Sequence, residues 1–153
     1  MAATTITLTG LDTVMKNLSA FGKNAQDAAA VALFEEANAI KNESQARYVP
    51  VDTGELRQEH AFVDEAASVS GGKVSITFGY TGPYAASVHE NPRAGKTGGV
   101  SPSGKKYRHW ATTGQWKFLE IPLLNAERGM LQRLAGRIYS VLGGKLSATF
   151  YGG

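Results

Sequence analysis

The sequence predicts a fold that combines long helices with a small antiparallel sheet, and three periodic segments carry this prediction. From residue 24 to residue 48, apolar residues recur at three- and four-residue steps, which is the spacing of an amphipathic helix. Residues 73–79 alternate instead between apolar and polar side chains, as a half-buried strand does. A second helical pattern begins near Pro122 and ends before Gly143.

The first half of the chain is predicted to contain one strand and two helices. Residues 4–9 alternate threonine with isoleucine and leucine, which predicts a short strand that ends at Gly10. Asp12 is placed to cap a short helix, and Asn24 to begin a longer one. Pro50 ends the long helix, because the residue before a proline is disfavoured in the helical conformation.

The long helix has a narrow, alanine-rich apolar face. Its predicted members are Ala25, Ala29, Ala32, Leu33, Ala37, Ile40, Ser44 and Tyr48. The charged residues of this segment are assigned mainly to the other faces, and they are Glu35, Glu36, Lys41, Glu43 and Arg47. Because helices with small contact residues pack more closely, this face is expected to lie tightly against another element.

The middle of the chain is predicted to form a β-hairpin followed by a long loop. Residues 56–64 are predicted as the first strand, residues 68–73 as a turn rich in serine and glycine, and residues 73–79 as the second strand. Residues 84–89 fit either a short helix or an extended piece. Residues 91–113 are poor in apolar side chains, and a loop of this length in a compact domain usually has a function or moves.

The last predicted helix carries an apolar stripe, made of Leu123, Ala126, Met130, Leu134, Ile138 and Val141. Gly129 and Gly136 lie on roughly one face, and each weakens a helix by about 1 kcal/mol relative to alanine. We therefore expect a close helix–helix contact at these two glycines. In the tail beyond the helix, Leu146, Ala148 and Phe150 alternate, which predicts a strand or an arm.

Composition limits the class of protein. With 153 residues, of which 42% are apolar, the chain is long enough for a single domain over 1–153, with a loop at 91–113 and an arm at 143–153. It has no cysteine, which excludes disulfides and thiolate metal sites and fits a reducing cytoplasm. The start lacks a secretory pattern, and no apolar stretch approaches the roughly 20 residues of a membrane span.

The triplet Asp52-Thr53-Gly54 spells the active-site motif of aspartic proteases. Such an enzyme needs two carboxylates about 3 Å apart, so one copy per chain would require a homodimer. The triplet should also follow a strand, whereas a long helix precedes it here. The alternative is a structural turn, in which the aspartate accepts a backbone hydrogen bond and the glycine supplies the turn conformation. We favour the turn.

Other motifs of enzymes or metal sites are incomplete. Gly95-Lys96-Thr97 resembles the end of a phosphate-binding loop, but Glu90, five positions before Gly95, stands where that pattern needs its first glycine. His60, His89 and His109 lack the spacing of paired metal ligands on a helix, and no nucleophile-elbow pattern is present. We therefore expect no enzymatic activity, no cofactor and no metal.

A basic loop lies between residues 93 and 108. Its five cations, with no acid among them, are Arg93, Lys96, Lys105, Lys106 and Arg108. Such a loop seeks anions, either a phosphate backbone or an acidic neighbour, and Tyr107 and Trp110 are placed to pack or stack beside it. Because the net charge is only +3, a solvated or protein-contacting loop is favoured over one that binds DNA.

The order of the segments along the chain resembles one protein family. Over residues 5–142, the sequence is similar to the small tail-completion or neck proteins of long-tailed bacteriophages, also described as minor capsid or tail-component proteins. The most specific blocks are Pro50-Val51-Asp52-Thr53-Gly54-Glu55-Leu56-Arg57, Tyr84-Ala85, Val88-His89-Glu90-Asn91 and Lys117-Phe118-Leu119-Glu120. Many relatives have Glu-aromatic-Gly-Thr after the Tyr-Ala block, where this chain has His89-Glu90-Asn91-Pro92.

The resemblance implies both a fold and a role. The fold is α+β, with a twisted, mainly antiparallel sheet packed against the long helix and the C-terminal helix. The role is that of a non-enzymatic virion protein, assembled in the host bacterial cytoplasm. It forms a homo-oligomeric ring, with sixfold symmetry, at the head–tail junction. Its partners are the neighbouring head-completion and tail proteins and, through the basic loop, the packaged DNA, with no membrane contact.

A closed ring requires two different patches on each subunit. The candidate interface residues are Glu55, Arg57, Tyr84, His89, Glu90, Lys117, Phe118, Leu119, Glu120, Leu146 and Phe150. Three alternative functions stay open beside the neck role. The first is a tail-terminator subunit of the same particle. The second is a small DNA-binding protein that uses the basic loop, and the third is a dimeric aspartic protease.

Overall fold

The structure, a computed structural model, describes residues 3–8, 23–51, 54–70, 73–92, 94 and 114–142. Its strands are β1 (Thr4–Leu8), β2 (Ala61–Val63), β3 (Ser68–Ser70) and β4 (Lys73–Tyr80). Its helices are α1 (Lys23–Glu43), α2 (Glu55–Gln58), α3 (Ala85–His89), α4 (Glu120–Glu127) and α5 (Met130–Val141). The described part is therefore an α+β fold, as predicted.

The long helix α1 is the centre of the core. Of the predicted alanine-rich face, it buries Ala25, Ala29, Ala32, Leu33, Ala37 and Ile40, and it also buries Ala28, which was not predicted. A single π-helical turn, Ser44–Tyr48, continues it, and the chain becomes extended at Val49, directly before Pro50. The predicted helix and its end are thus confirmed. Helix α1 contacts β4 and β2 of the sheet and also α4 and α5, so both groups of elements bury surface against it.

The sheet is organised around β4, the longest strand in the described part. The strand order is β1–β4–β2, β3 also pairs with β4, and all three pairings are antiparallel. Every second residue of β4, that is Val74, Ile76, Phe78 and Tyr80, is buried, because alternate side chains of a strand share one face. The alternation at 73–79 therefore predicted both the strand and its buried face correctly.

Gly79 lets β1 lie close to β4. It pairs with Thr5 in the antiparallel register. A Cβ atom added at Gly79 would stand 2.2 Å from the carbonyl oxygen of Thr4, well inside van der Waals contact. The close approach of the two strands thus depends on the missing side chain.

The predicted single C-terminal helix is instead two helices. Helix α4 ends at Glu127, Arg128 is extended, and Gly129 has a φ of 73° before α5 begins. A positive φ is costly for residues with a Cβ, so the glycine permits the break. The expected close contact at Gly129 and Gly136 is also wrong. Both residues are exposed, and a Cβ at Gly136 would meet no described atom within 4 Å.

Two further predictions in the middle of the chain need correction. The strand predicted over 56–64 is wrong at its start, because Glu55–Gln58 form the short helix α2 and only Ala61–Val63 pair with β4. The backbone of Gln58 donates to the carbonyl of Gly54 at 2.9 Å, which closes this helical turn. Residues 68–70, predicted as part of a turn, form strand β3.

Several predicted features lie outside the described residues. They are the capped helix after Asp12, the tail at 143–153 with Leu146 and Phe150, and most of the loop at 91–113, including Arg93, Lys96, Lys105, Lys106 and Arg108. Asp52 and Thr53 of the predicted turn also lie outside, whereas Gly54 is described.

Candidate functional site

The sequence blocks that carry the resemblance converge on one region beside the end of α1. The backbone N–H of Gln115 donates to the carbonyl of Tyr48 at 2.8 Å. Two residues later, the N–H of Lys117 donates to the carbonyl of His89 at 2.8 Å. The segment 115–118 therefore lies between the π-helical turn and α3, and it joins blocks that are far apart in the chain.

A buried polar contact holds this junction together. The hydroxyl of Ser44 donates to the carbonyl of Phe118 at 2.7 Å, so it accepts from the hydroxyl of Tyr80, 2.8 Å away. Burial raises the pKa of Tyr80 above its ordinary value, which keeps the phenol a neutral donor. One serine on the helical turn thus connects the last residue of β4 to the segment before α4.

Phe118 is the aromatic centre of the junction. Its ring meets the ring of Tyr80 edge-on at 5.1 Å and the imidazole of His89 edge-on at 5.0 Å between centroids. Phe118 and Leu119 are both 0% exposed. The chain's own core therefore already encloses both side chains, although the sequence analysis placed them at a subunit interface. His89, a third predicted interface residue, is also buried.

A row of charged side chains lies at the rim of the junction. The Nδ1 atom of His89 is 2.7 Å from Glu90 Oε1. Lys117 Nζ lies 2.8 Å from Glu90 Oε2 and 2.9 Å from Glu120 Oε2. The four residues form a continuous chain of polar contacts that leads from the buried imidazole to the surface. We call Glu90, Lys117 and Glu120 the charged rim.

The charged rim has two properties that follow from these contacts. The hydrogen bond from Lys117, and then that from His89, lowers the pKa of Glu90, while the hydrogen bonds to Glu90 and Glu120 raise the pKa of Lys117. Lys117 also has a φ of 55°, an uncommon conformation for a residue with a side chain. Its ammonium lies 5.9 Å from the centroid of the Trp116 ring.

The imidazole of His89 has one unsatisfied nitrogen. Its Nε2 atom is buried and has no hydrogen-bond partner among the described residues. When Nδ1–H donates to Glu90, Nε2 keeps its lone pair and faces apolar surroundings that include Phe118. The contact with Glu90 orients the ring, and no hydrogen-bonding group in the described part of the chain faces Nε2.

The segment around Gly54 packs against the end of α1. Gly54 has a φ of 86°, the left-handed conformation that the predicted turn requires at this position, although a helix rather than a strand follows. Arg57 Nη2 donates to the carbonyl of Val49 at 3.2 Å, and Gln45 Nε2 donates to the carbonyl of Arg57 at 2.6 Å. The side chain of Arg57, a predicted interface residue, therefore folds back on the helix end.

The other predicted interface residues near this block lie at the surface. Glu55 is exposed and its Oε1 is 3.3 Å from His60 Nε2. Tyr84 is half-buried, and its ring meets that of His60 edge-on at 6.1 Å. Among the described candidates, Glu55, Tyr84 and the charged rim thus remain placed to contact a neighbour.

The residues that join helix α5 to α1 were not predicted from the sequence. Glu36 was assigned outside the apolar face, yet it is only 1% exposed. Its carboxylate accepts from Arg133 Nε at 3.0 Å and also from Arg137 Nη1. A signal was present, because Arg133 and Arg137 are four residues apart on α5, and Glu36 lies between apolar positions Leu33 and Ala37.

The comparisons with known proteins leave the family unassigned. Comparison of the chain with models of protein families, with curated proteins and with solved structures gives no significant match. Within the described ranges, no three histidine, aspartate or glutamate side chains group as a metal site would require. No helix in the same ranges is both long and apolar enough to cross a membrane.

Proposed function

We propose that this chain is a structural, non-enzymatic subunit of the head–tail junction of a long-tailed bacteriophage. In that role it forms a homo-oligomeric ring with sixfold symmetry and joins the DNA-filled head to the tail. The proposal starts from the family resemblance of the sequence blocks. The observation that supports it best is their convergence: segments 48–57, 84–91 and 115–120 build one junction through direct contacts.

The convergence supports the proposal because the three segments together build one structural element, the junction. Ser44 and Phe118 make the interior of the junction, while Glu90, Lys117 and Glu120 form its rim. A packed interior with a charged rim suits a subunit that must keep its shape while it contacts neighbours. The proposed contacts between neighbouring subunits use the rim together with Glu55 and Tyr84, and the basic loop faces the DNA channel or the adjacent ring.

Imaging of particles made without this protein tests the proposed position. Phage produced with the gene disrupted should accumulate DNA-filled heads and separate, finished tails, seen by negative-stain electron microscopy. Tails of uncontrolled length would point instead to a tail-terminator subunit. Normal infectious particles would contradict both positions.

A second experiment addresses the basic loop. Replacing Lys105, Lys106 and Arg108 together by glutamine should leave the folded subunit and its ring intact, but impair DNA retention or tail joining, because phosphate contacts are made by such cations. The matched control replaces three cations away from the loop, namely Lys41, Lys73 and Arg128. Unchanged assembly and infectivity of the loop variant would contradict a role of the loop in the particle.

The remaining alternatives give distinct results. A small DNA-binding protein would shift free duplex DNA in a gel at moderate salt, and the shift would weaken steeply as salt is raised. A dimeric aspartic protease would cleave peptides and lose that activity in Asp52→Ala while staying folded. Either result would replace the structural role proposed here.

A further inference from the structure

Strand β1 forms one edge of the sheet, because in the described part of the chain it pairs with β4 and with no other strand. The direction of its backbone groups follows from the pairing on the far side of β4. There the N–H of Asp64 donates to the carbonyl of Thr77 at 2.8 Å, and the N–H of Thr81 donates to the carbonyl of His60 at 2.9 Å. The odd-numbered residues of β4 therefore direct their backbone groups towards β2, and the even-numbered residues direct theirs towards β1.

The same alternation divides the backbone groups of β1 between its two sides. Ile6 pairs with Phe78, an even-numbered residue, so the N–H and C=O of Ile6 point towards β4. The N–H and C=O groups of Thr5 and Thr7 therefore point away from the sheet. Among the described residues, none forms a backbone hydrogen bond with these outward groups, and both threonines are exposed. The edge thus offers donors and acceptors that an added strand would satisfy.

This edge lacks the features by which proteins usually prevent strand addition, which are charged side chains, proline and bulges. Residues Thr4–Leu8 read Thr-Thr-Ile-Thr-Leu, and their register with β4 is unbroken. The opposite side of β4 differs, because β2 is only three residues long and is followed directly by the exposed Asp64 and Glu65. The edge at β2 is therefore protected, whereas the edge at β1 is open to pairing.

The sequence of β1 is complementary to itself in the antiparallel direction. With Ile6 of one copy opposite Ile6 of a second copy, Thr5 of each lies opposite Thr7 of the other. These threonines are the residues whose backbone groups point outward, so each Thr–Thr pair exchanges both of its N–H···O bonds. Ile6 is half-buried on the same face as its partner Phe78, so the two Ile6 side chains meet on the core face of the joined sheet.

We propose that two copies of the chain join through their β1 strands, antiparallel and centred on Ile6, into one continuous sheet. A second copy fits the edge because its β1 supplies the hydrogen-bonding direction, the apolar contact at Ile6 and the Thr–Thr pairs together. The contact is two-fold symmetric, whereas a closed ring uses two different patches on each subunit. The inference therefore goes beyond the proposed function and does not rest on it.

Because the chain has no cysteine, one introduced cysteine reports on this contact in the whole chain. Ile6→Cys should give a disulfide-linked dimer under mild oxidation, because the Cα atoms of such a non-hydrogen-bonded pair lie about 4.5 Å apart, within the range of a disulfide. Thr5→Cys is the matched control. The two Thr5 positions face each other diagonally, about 7–8 Å apart, which is too far for the bridge.

The comparison of these two variants decides for or against the proposal. Thr5 is more exposed than Ile6, so random collisions would favour the control. A higher yield of linked dimer for Ile6→Cys than for Thr5→Cys at equal protein concentration supports the pairing, and an equal or lower yield would overturn it. The unfolding midpoints of the reduced variants show whether each is folded.

A second variant pair tests the register and leaves Ile6 in place. The double variant Thr5→Lys with Thr7→Glu puts opposite charges across the contact in both pairs, whereas Thr5→Lys with Thr7→Lys puts like charges there. The first should associate about tenfold or more tightly than the second at low salt, measured by sedimentation equilibrium. Equal association of the two would contradict the antiparallel register. A wild-type protein that stays monomeric at millimolar concentration would overturn the proposal.

These measurements separate the strand pairing from the neck role. They use the purified protein, so a negative result leaves the neck role untouched. Normal phage assembly without the protein would contradict the neck role and would leave a positive result for the pairing untouched.

Discussion

The guanidinium of Arg133 lies against the buried carboxylate of Glu36, with Arg133 Nε 3.0 Å from Glu36 Oε1. The same guanidinium donates from Nη1 to the carbonyl of Arg128 at 2.9 Å and from Nη2 to that of Ala126. These carbonyls belong to the end of α4 and the break after it, where intrahelical partners are missing. One arginine therefore joins α5 to α1 and also stabilises the break between the two C-terminal helices.

The first prediction concerns this ion pair. Glu36→Ala should lower the free energy of unfolding by about 3 kcal/mol, because it removes the carboxylate that Arg133 and Arg137 share. Glu35→Ala is the control, since Glu35 lies at the surface, 3.4 Å from Arg137, and should cost less than about 1 kcal/mol. Urea unfolding measures both, and equal losses would contradict the assigned role of Glu36.

The second prediction concerns the hydroxyls of Ser44 and Tyr80. Ser44→Ala should lower the free energy of unfolding by about 1–3 kcal/mol, because it leaves the buried Tyr80 hydroxyl without its acceptor. In the double variant with Tyr80→Phe the combined loss should be smaller than the sum of the single losses. Ser87→Ala, at an exposed position of α3, is the matched control. Strict additivity would mean that the two hydroxyls do not interact.

The third prediction tests whether Phe118 acts as a core residue of one chain or as a residue of a subunit interface. Phe118→Ala should lower the free energy of unfolding by about 3–5 kcal/mol, because it opens a cavity between Tyr80 and His89. This loss should be the same at every protein concentration. The adjacent Trp116 is partly exposed, and Trp116→Ala should cost much less. A stability loss at Phe118 that appears only in the assembled protein would restore it as an interface residue.

The fourth prediction concerns pH and Glu90. The folded chain lowers the pKa of this carboxyl below its ordinary value of 4.5, chiefly through the hydrogen bond from Lys117. The ionised form is therefore the one that the fold stabilises, so its contribution is present above pH 4.5 and is lost as the pH falls through the lowered pKa. Wild type should be more stable than Glu90→Gln near neutral pH, and the difference should vanish in acid.

Denaturant unfolding across the acidic range measures this difference. Glu65→Gln serves as the control, because Glu65 is an exposed carboxylate in the connection between β2 and β3. Its substitution should leave the pH profile almost unchanged. If the difference in free energy of unfolding between wild type and Glu90→Gln persisted unchanged in acid, the ionised carboxylate of Glu90 would not be its cause.

The fifth prediction compares two glycines, one in a crowded site and one in an open site. Gly79→Ala should lower the free energy of unfolding by about 1–3 kcal/mol, because the new methyl group meets the backbone of Thr4 and forces β1 away. Gly136→Ala should raise it by about 0.5–1 kcal/mol, because alanine favours the helix and the site is open. Thermal or urea unfolding measures both. A common sign for the two substitutions would contradict the packing described at β1.

Local periodicity explains which elements were predictable from the sequence. The strand of Thr4–Leu8, the long helix up to Val49 and the central strand all follow from side-chain spacing within the element itself. Short elements were missed, because α2 has only four residues and β3 only three, too few to show a period. Gly129 was visible in the sequence, but nothing local distinguishes a helix break from a weakened helix.

The candidate site was predictable only in part. The blocks at 50–57, 84–91 and 117–120 were singled out in the sequence, yet their meeting in space depends on contacts between distant segments, such as that of Ser44 with Phe118. The burial of Phe118 and Leu119 also follows from that meeting. A sequence shows that such side chains are apolar, and it leaves open whether the same chain or a neighbour covers them.

The sequence by itself determined the class of fold, the long helix and its proline end, and the central alternating strand. These features depend on spacing and backbone preference, which act over a few neighbouring residues. Only the tertiary structure decided that Glu36 is buried and ion-paired with Arg133 and Arg137, and that Lys117 pairs with both Glu90 and Glu120 beside the junction. The physical reason is that burial and ion pairing are set by which distant segments pack together, and no local pattern contains that information.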